Sequence, residues 1–362
     1  MNGMGFAKYN VKISLLKERT IVMKKTKLLA IFLTLIMIMS LFIGCGERGG
    51  DVDAEGPIVI KIGHTDSSQR STHLWSEALG EYLEEKAPGR FVIEVYSDGQ
   101  LGDTPDLVSG IKIGTVTMMF DLSSVLTAAS GPDSTCIDLP YLYPSFEAWE
   151  EGTFEKGGLE LFNETLEESG YYCIDMYYNG MRQVISRDKV YKSSDDLNGQ
   201  KIRIAQNDLN IEIWKAMGAN PTPMAWGEVV TSLSQGQINA LDHSLGVFND
   251  FNLHEIAPYV TLTNHCSSPF PIICSRDWIE SLDPADREVL EAGVREMAKN
   301  QRAEEFAKEQ EYLDRFRSEG AEVYELTAEE LKVFQESVQP VYDYQRSLVG
   351  DEMVDRWLST QP

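Results

Sequence analysis

Histidine and cysteine are scarce in this sequence of 362 residues, which holds five of each. No Cys-x-x-Cys pair occurs, and no His and Cys residues stand at the spacings that zinc sites use. The sequence therefore predicts no metal site and no other cofactor. A disulfide between Cys266 and Cys274 is one alternative for an exported chain, and buried free thiols are the other. Besides Cys45, the cysteines concerned are Cys136, Cys173, Cys266 and Cys274.

The common catalytic motifs are missing as well. The sequence contains no Gly-x-Ser-x-Gly elbow, no His-Glu-x-x-His pair and no phosphate-binding loop. Catalytic groups are often scattered along a chain, so this absence favours binding over catalysis but leaves an enzyme open.

Positive charge is in short supply, and the formal net charge is −25. Residues 1–44 hold seven of the basic residues and one acidic residue, so the remainder reaches −31. Such a surface repels nucleic acid and anionic lipid headgroups, which excludes both as expected partners. It also repels anionic solutes, so a bound acid would need a local cationic pocket, with remote charges screened over about 8–10 Å.

The amino-terminal segment 1–44 predicts export. A basic stretch at 24–27 precedes a 16-residue apolar run at 28–43, which is shorter than the about 20 residues of a membrane span. Because glycine and then Cys45 follow this run, we expect cleavage before Cys45, its lipidation, and anchoring to the outer face of the cytoplasmic membrane. An uncleaved anchor or an ordinary signal would also export the chain. Met23 is a better start for such a signal than the first methionine.

The rest of the chain predicts an α/β fold with two lobes. From residue 58 onward, short apolar strands alternate with amphipathic helices. This part has about 305 residues, which is more than a single hydrophobic core usually holds. Parallel strand pairs are the expected consequence of helical crossovers. The predicted division is a flexible tether over 45–57, lobe 1 over 58–179 with a return segment at about 268–307, and lobe 2 over 180–267 with C-terminal helices at about 308–362.

The last eighty residues are helical in pattern. Asp283 and Pro284 form a capped helix start, and few breakers follow before Gly320. A helix of about 35 residues would be about 50 Å long, longer than one lobe, and is predicted to span both. Thr327 and Glu330 predict a second start with a capping box.

Two arginines follow strand patterns in the middle of the chain. Arg203 lies at the carboxyl end of the predicted strand 201–204, where α/β sheets open a crevice for ligands. Its planar guanidinium suits a carboxylate, although an ion pair with a nearby protein carboxylate explains it equally well. Arg182 follows another strand and a turn glycine, and by itself is typical of a surface arginine.

The surrounding strings resemble the signature of TRAP transporter solute-binding proteins, the DctP family. The similarity covers about residues 58–340, nearly the whole mature domain. The strings that carry it are GQKIRIAQ at 199–206, KAMGANPTPMAWGEVVTSLSQGQIN at 215–239 and YVTLTNH at 259–265, supported by YSDGQLGD, DLPYLY and YYNGMRQVIS upstream.

This resemblance implies a periplasmic-binding-protein-like fold with a ligand cleft between the lobes, closed by hinge bending. It implies a small organic acid as ligand and, as partners, membrane subunits that an ion gradient drives. We expect a monomer. Arg203 is similar to the family arginine that grips the ligand carboxylate, and Arg182 resembles a second arginine found in many members.

Four further residues are candidate ligand contacts. Trp226 stands where the family usually has a phenylalanine against the ligand; otherwise it is a core aromatic. Gln206 would point into the same cleft. His243 replaces a ligand-contacting asparagine, and could donate a hydrogen bond, weaken binding as pH rises if protonated, or simply be satisfied at a strand end. His64 ends the first strand and could reach the cleft.

Two other functions remain open at this point. A secreted hydrolase or lyase could use His64 and His243 with a carboxylate, and a receptor of the same fold could present its ligand to a sensor kinase. For a binding protein, the candidate ligands are uronates, C4-dicarboxylates, keto acids and aromatic acids. Among these ligands, the cluster of polar candidate residues around one large aromatic side chain slightly favours a hydroxylated monocarboxylate.

Overall fold

Two β-sheets organise residues 56–362, the part of the chain that the computed structural model describes. The predicted signal, the start at Met23 and the lipidation site Cys45 lie outside the described residues. The strands are β1 (Ile58–Gly63), β2 (Phe91–Tyr96), β3 (Met118–Phe120), β4 (Tyr171–Met181), β5 (Gln183–Ser186), β6 (Lys201–Ile204), β7 (Asn220–Pro223), β8 (Ala240–His243), β9 (Tyr259–Leu262), β10 (Ser267–Ser275) and β11 (Glu322–Glu325).

Helices connect most of these strands. They are α1 (Ser71–Lys86), α2 (Thr104–Ile113), α3 (Ser123–Ser130), α4 (Phe146–Phe154), α5 (Gly158–Leu166), α6 (Ser194–Leu197), α7 (Asp208–Ala216), α8 (Trp226–Ser234), α9 (Leu245–Asp250), α10 (Leu253–Ile256), α11 (Arg276–Ser281), α12 (Pro284–Ser318), α13 (Ala328–Ser337), α14 (Gln339–Val349) and α15 (Asp351–Leu358), with a 3₁₀ helix at Pro132–Asp138.

The first sheet, which defines lobe 1, has the strand order β2-β1-β3-β10-β4. Strand β1 pairs in parallel with β2 and β3, and helices α1 and α2 form the crossovers. Strand β10 is antiparallel to both β3 and β4. The predicted parallel pairing therefore holds where a helix connects the strands, and it fails at β10, which enters from the other sheet.

The second sheet, which defines lobe 2, has the order β11-β9-β5-β8-β6-β7. Strand β6 is parallel to β7 and β8, so the carboxyl ends of β6 and β8 lie at the same edge. Strand β5 is antiparallel to β8 and β9. The chain passes between the sheets from β4 to β5 and from β9 to β10, and the predicted two-lobed α/β class is confirmed.

The long helix α12 begins and runs as the sequence predicts. Its 35 residues follow the cap Asp283, whose carboxylate accepts a hydrogen bond from the backbone N–H of Ala285 at 2.9 Å. The helix packs against α1 and β4 of lobe 1, and against α9 and β11 of lobe 2. It therefore ties the two lobes together.

The final helices contact both lobes. The predicted capping box is present, with the Thr327 hydroxyl accepting from the Glu330 N–H and the Glu330 carboxylate accepting from the Thr327 N–H. Helix α14 packs against α7 of lobe 2, whereas the Gln345 amide donates to the Pro132 carbonyl and the Gln361 amide to the Leu142 carbonyl. These bonds attach the end of the chain to the segment before β4, which the predicted division gave to lobe 1.

The four cysteines of the described part are buried free thiols: Cys136, Cys173, Cys266 and Cys274. Of the two alternatives, the structure thus has thiols and no Cys266–Cys274 disulfide. No helix within residues 56–362 combines the length and apolar character that crossing a membrane requires.

Candidate functional site

A cavity of about 520 Å³ receives side chains from both lobes. On the lobe 1 side its polar lining follows the ends of β1 and β3, and on the lobe 2 side it follows β6 and β8. This is the position at which α/β sheets bind ligands. The residues that matter below are Thr65, Asp66, Thr104 and Asp121 from lobe 1, and Arg203, Gln206, Trp226, His243 and Phe251 from lobe 2.

Arg203 is the most unusual residue of the lining because its charge has no anionic partner. It lies on β6 with 3% of its surface exposed, and its Nε and Nη2 both donate to the Met224 carbonyl at 3.1 and 2.8 Å. Its Nη1 has no hydrogen-bond partner, and no carboxylate of residues 56–362 lies within 4.0 Å of the guanidinium. Burial lowers the pKa of Arg203 to about 10, so it remains charged at neutral pH. A buried N–H donor without a partner is costly and suits an anionic ligand.

Trp226 forms an aromatic surface beside this guanidinium. It opens helix α8, and its ring centroid lies 5.3 Å from the Arg203 guanidinium carbon, a cation–π distance. Phe251 and His243 meet the same indole edge-on at 5.0 and 5.2 Å. Arg203 and Trp226 therefore place a charge and a flat apolar wall side by side.

His243 is a neutral ring at the end of β8. Burial, followed by the nearby charges of Arg182 and Arg203, holds the pKa of His243 well below its usual value. Its Nδ1 accepts a hydrogen bond from the Ser244 N–H at 2.9 Å, so the neutral ring carries its proton on Nε2. Of the alternatives for His243, the structure favours a hydrogen bond from a neutral ring over an added positive charge, because burial and the two adjacent arginines disfavour protonation.

Arg182, the second predicted ligand arginine, does not line the cavity. At the junction of β4 and β5 its Nε donates to Asp242 Oδ2 at 2.6 Å and its Nη2 to the Asp242 carbonyl at 2.8 Å. His265 Nε2 lies 3.1 Å from the same Oδ2. Burial by itself would raise the pKa of Asp242, but Arg182 and His265 outweigh it and hold that pKa far below its usual range. The structure thus gives Arg182 a protein carboxylate, contrary to the ligand contact that the resemblance implied.

His64 is also outside the lining. Its ring stacks on Phe120 at 4.5 Å between centroids, and its Nε2 lies 2.9 Å from Nδ1 of His73. Burial and His73 lower the pKa of His64 to about 3. Gln206, by contrast, lines the cavity from an exposed position after β6.

The lobe 1 wall is a part of the site that the sequence reading missed. Asp121 Oδ2 accepts from the hydroxyls of Thr65 at 2.7 Å and Thr104 at 2.8 Å, and its Oδ1 accepts from the Leu122 N–H. Asp66 accepts from the Thr72 hydroxyl at 2.7 Å. Both aspartates follow the carboxyl end of a parallel strand, so the rule that singled out Arg203 could have found them.

Beside this wall, Arg70 connects the lobes. Its Nη1 lies 3.2 Å from Asp250 at the end of α9 in lobe 2, and its Nη2 donates to Asn179 at 2.7 Å and to Glu305 of α12 at 3.3 Å. Its Nε lies 3.4 Å from Asp66. A single buried guanidinium therefore links the cavity wall, the long helix and lobe 2.

Among the residues that the structure describes, one group has the spacing of metal ligands. His254, Glu255 and Glu319 bring ligand atoms within 4.8 Å of one another, away from the cavity lining. The oxygens of Glu319 already contact His254 Nε2 and Arg315 Nε. These contacts explain the cluster as an ion-pair group.

Known proteins are similar to this chain over most of its length. The model of a family described as "Bacterial extracellular solute-binding protein, family 7", or DctP, matches residues 62–347. A solute-binding protein of Roseobacter denitrificans is 30% identical over 260 residues, 71% of this chain and 79% of the relative. The 2,3-diketo-L-gulonate-binding periplasmic protein YiaO of Escherichia coli is 27% identical over 264 residues, which are 73% and 80% of the two chains.

A solved structure has the same architecture. A TRAP periplasmic solute-binding protein from Sulfitobacter sp. NAS-14.1 with bound β-D-galacturonate superposes with a TM-score of 0.77 at 25% identity, covering 83% of this chain and 99% of that one.

Proposed function

The chain belongs to family 7 of the bacterial extracellular solute-binding proteins, the DctP family, and it is not an enzyme; we propose that it captures a small organic acid in the cavity between its lobes. In this proposal it delivers the acid to the membrane subunits of a TRAP transporter. The relatives reported above are solute-binding proteins, and they give no support to the alternatives of a hydrolase, a lyase or a sensor-kinase receptor.

The observation that carries the proposal is the unpaired donor of Arg203. The guanidinium of this buried arginine is held by one carbonyl and left with an unpaired Nη1, so it is complementary to a ligand carboxylate. The carboxylate would replace the water that this charge loses on burial. The protein is strongly acidic as a whole, so the local cation has to provide this attraction.

Three neighbours complete the proposed binding set. Trp226 would support the body of the ligand, His243 would donate through Nε2–H, and Gln206 would reach the ligand from the strand end. Arg182 and His64 are left out because each has a buried protein partner.

Location follows from the amino-terminal sequence. We propose that cleavage before Cys45 leaves a lipidated cysteine that anchors a monomer to the outer face of the cytoplasmic membrane. Residues 45–57 would act as the tether. Mass spectrometry of the membrane-bound protein should find a lipid-modified Cys45 as the first residue, and C45S should release the exported protein into the medium. An unmodified Cys45 in the membrane fraction would contradict anchoring by lipid.

Calorimetry with an organic-acid panel tests the binding proposal. The protein from residue 45, with Cys45 changed to Ser, should bind at least one acid, and Arg203→Gln should weaken that binding by at least about a hundredfold, or 2.7 kcal/mol. Arg346→Gln on the surface of α14 is the matched control and should bind normally. An unchanged dissociation constant in Arg203→Gln would disprove the role of Arg203.

A further inference from the structure

The two walls of the cavity offer opposite chemistry to a ligand, and this opposition narrows the ligand class. We propose that the site selects hydroxylated monocarboxylates of about six carbons and rejects dicarboxylates, and that Asp66 and Asp121 of lobe 1 make this choice. The inference depends on the proposed function, because it takes the carboxylate of Arg203's ligand as its starting point.

The charges of the lining are unevenly distributed. Arg203 is the single Lys or Arg among the described residues of the lining, and it lies on lobe 2. Four aspartates line the lobe 1 side: Asp66, Asp98, Asp103 and Asp121. A ligand whose carboxylate meets Arg203 therefore directs its other end toward carboxylates, which a second ligand carboxylate would repel.

The hydrogen-bonding capacity of the lobe 1 wall points the same way. The hydroxyls of Thr65 and Thr104 both donate a hydrogen bond to Asp121 Oδ2. A hydroxyl that donates to a carboxylate has only lone pairs left to offer. Asp121 itself accepts three bonds and donates none in its ionised state. Thr65, Thr104 and Asp121 can therefore only accept from a ligand. They suit a ligand that brings donors, which hydroxyl groups supply and a carboxylate does not.

Apart from Arg203, the two buried arginines near the cavity in the described part of the chain are both paired with carboxylates. Arg182 is bound to Asp242 at 2.6 Å and is absent from the lining. Arg70 is buried behind Asp66 and lies within 3.4 Å of three carboxylates, those of Asp66, Asp250 and Glu305. Both arginines are therefore neutralised within the protein, in contrast to Arg203.

The size of the cavity agrees with a sugar acid. A volume of about 520 Å³ lies within the range of roughly 300–1,000 Å³ for small-molecule sites. Trp226 provides a flat face for a ring or a carbon chain, and the lobe 1 lining adds the oxygens of its threonines and aspartates among apolar side chains such as Val108 and Leu122. Both features suit a molecule with one apolar face and a row of hydroxyls.

The experiment compares acids that differ at one end only. Galactonate with galactarate, gluconate with glucarate, and mannonate with mannarate are pairs of six-carbon acids in which a terminal CH₂OH becomes a second carboxylate. Calorimetry with the wild-type protein should find the strongest binder among the hydroxylated monocarboxylates, hexuronates included. Its dicarboxylate counterpart should bind at least about tenfold more weakly. Succinate, a dicarboxylate without hydroxyls, should bind more weakly still.

Isosteric variants test whether Asp66 and Asp121 cause the preference for monocarboxylates. Asp121→Asn and Asp66→Asn should each narrow the monocarboxylate-to-dicarboxylate ratio by at least about threefold, while Asp286→Asn, on α12 outside the lining, leaves it unchanged. Circular dichroism melting curves show whether each variant folds, and the wild-type ratios test the proposal even if one does not.

The outcomes separate the two levels of the proposal. If a dicarboxylate, an amino acid or an acid without hydroxyls were the strongest binder and Arg203→Gln abolished its binding, the selection by lobe 1 would be wrong and the proposed function would stand. If Arg203→Gln bound the strongest acid as tightly as the wild type, the proposed function would fall and this inference with it.

Discussion

Arg182 and Arg203 are both buried arginines of lobe 2, yet their surroundings differ completely. Arg182 is 6% exposed and forms an ion pair with Asp242, whereas Arg203 is 3% exposed and bonds to a carbonyl. The first arginine is satisfied within the protein, and the second is left with an unpaired Nη1. The comparison shows that burial by itself does not identify a binding arginine, and that the partner does.

The strand pairing explains the difference. Asp242 lies on β8 between β5, which follows Arg182, and β6, which carries Arg203, and its charge acts on both arginines. Its Oδ2 is taken by Arg182 and His265. Arg203 is left with the Met224 carbonyl before α8. Asp242 thereby divides the two arginines into a structural one and a free one.

The largest expected effect is on the structural arginine. Arg182→Ala leaves Asp242 buried without its main counter-charge and should lower the free energy of unfolding by about 3–5 kcal/mol, measured by urea denaturation. Arg346→Ala is the matched control, since Arg346 also contacts a carboxylate, that of Asp355, at 2.6 Å but at a partly exposed site. It should cost about 1 kcal/mol or less. Equal losses in the two variants would contradict the comparison.

The free arginine should behave in the opposite way. Arg203→Met replaces a desolvated charge by an apolar side chain, so the ligand-free protein should keep its stability or gain about 1 kcal/mol while organic-acid binding is lost. Thermal melting with and without the acid measures both effects. A loss of several kcal/mol in the ligand-free state would show that Arg203 is structural as well.

The pH dependence should come from Asp66 and not from His243. Burial raises the pKa of Asp66 to about 6 against the opposing effect of Arg70 and the Thr72 hydroxyl, while Asp121 and Asp250 raise it further. A carboxyl with that pKa is ionised at pH 7.5 and mostly protonated at pH 5.5, so the wall loses negative charge as pH falls.

The preference for a monocarboxylate over its dicarboxylate counterpart should therefore shrink by up to about tenfold between pH 7.5 and 5.5, as measured by calorimetry at both pH values. Asp66→Asn should make the ratio independent of pH. Burial and the neighbouring arginines lower the pKa of His243, which argues against His243 as the titrating group. A pH dependence that disappeared in His243→Asn but persisted in Asp66→Asn would contradict the role of Asp66.

The smallest effect is expected at the aromatic wall. Trp226→Phe keeps a flat apolar face and a weaker cation–π contact with Arg203, so the affinity for the acid should fall by less than about tenfold. Trp226→Ala removes the face and should cost more, while Trp278→Phe, on α11 in lobe 1, should leave binding unaffected. Fluorescence titration measures all three. Equal affinities of the Phe and Ala variants would place the ligand away from this ring.

Much of the architecture could be predicted because its signals are local. The cap at Asp283 and Pro284 and the box of Thr327 and Glu330 act over one helical turn, and the structure has both helices where they begin. Strand-end position and family resemblance also led to Arg203, Trp226, His243 and Gln206, all of which line the cavity. The sequence did not predict the antiparallel pairing of β10 or the hydrogen bonds of the last helices to lobe 1, because these partners lie far away in sequence.

The sequence by itself determined the α/β class, the two lobes, the long helix, and the acidic surface that makes a sheltered cation necessary. Only the tertiary structure decided which arginine provides that cation, since the choice depends on Asp242, 60 residues from Arg182 along the chain. The tertiary structure likewise placed His64 against His73 and brought the aspartates of lobe 1 into the same cavity as Arg203. Charge and periodicity are properties of the chain, whereas the pairing of a buried charge is a property of the contacts that folding creates.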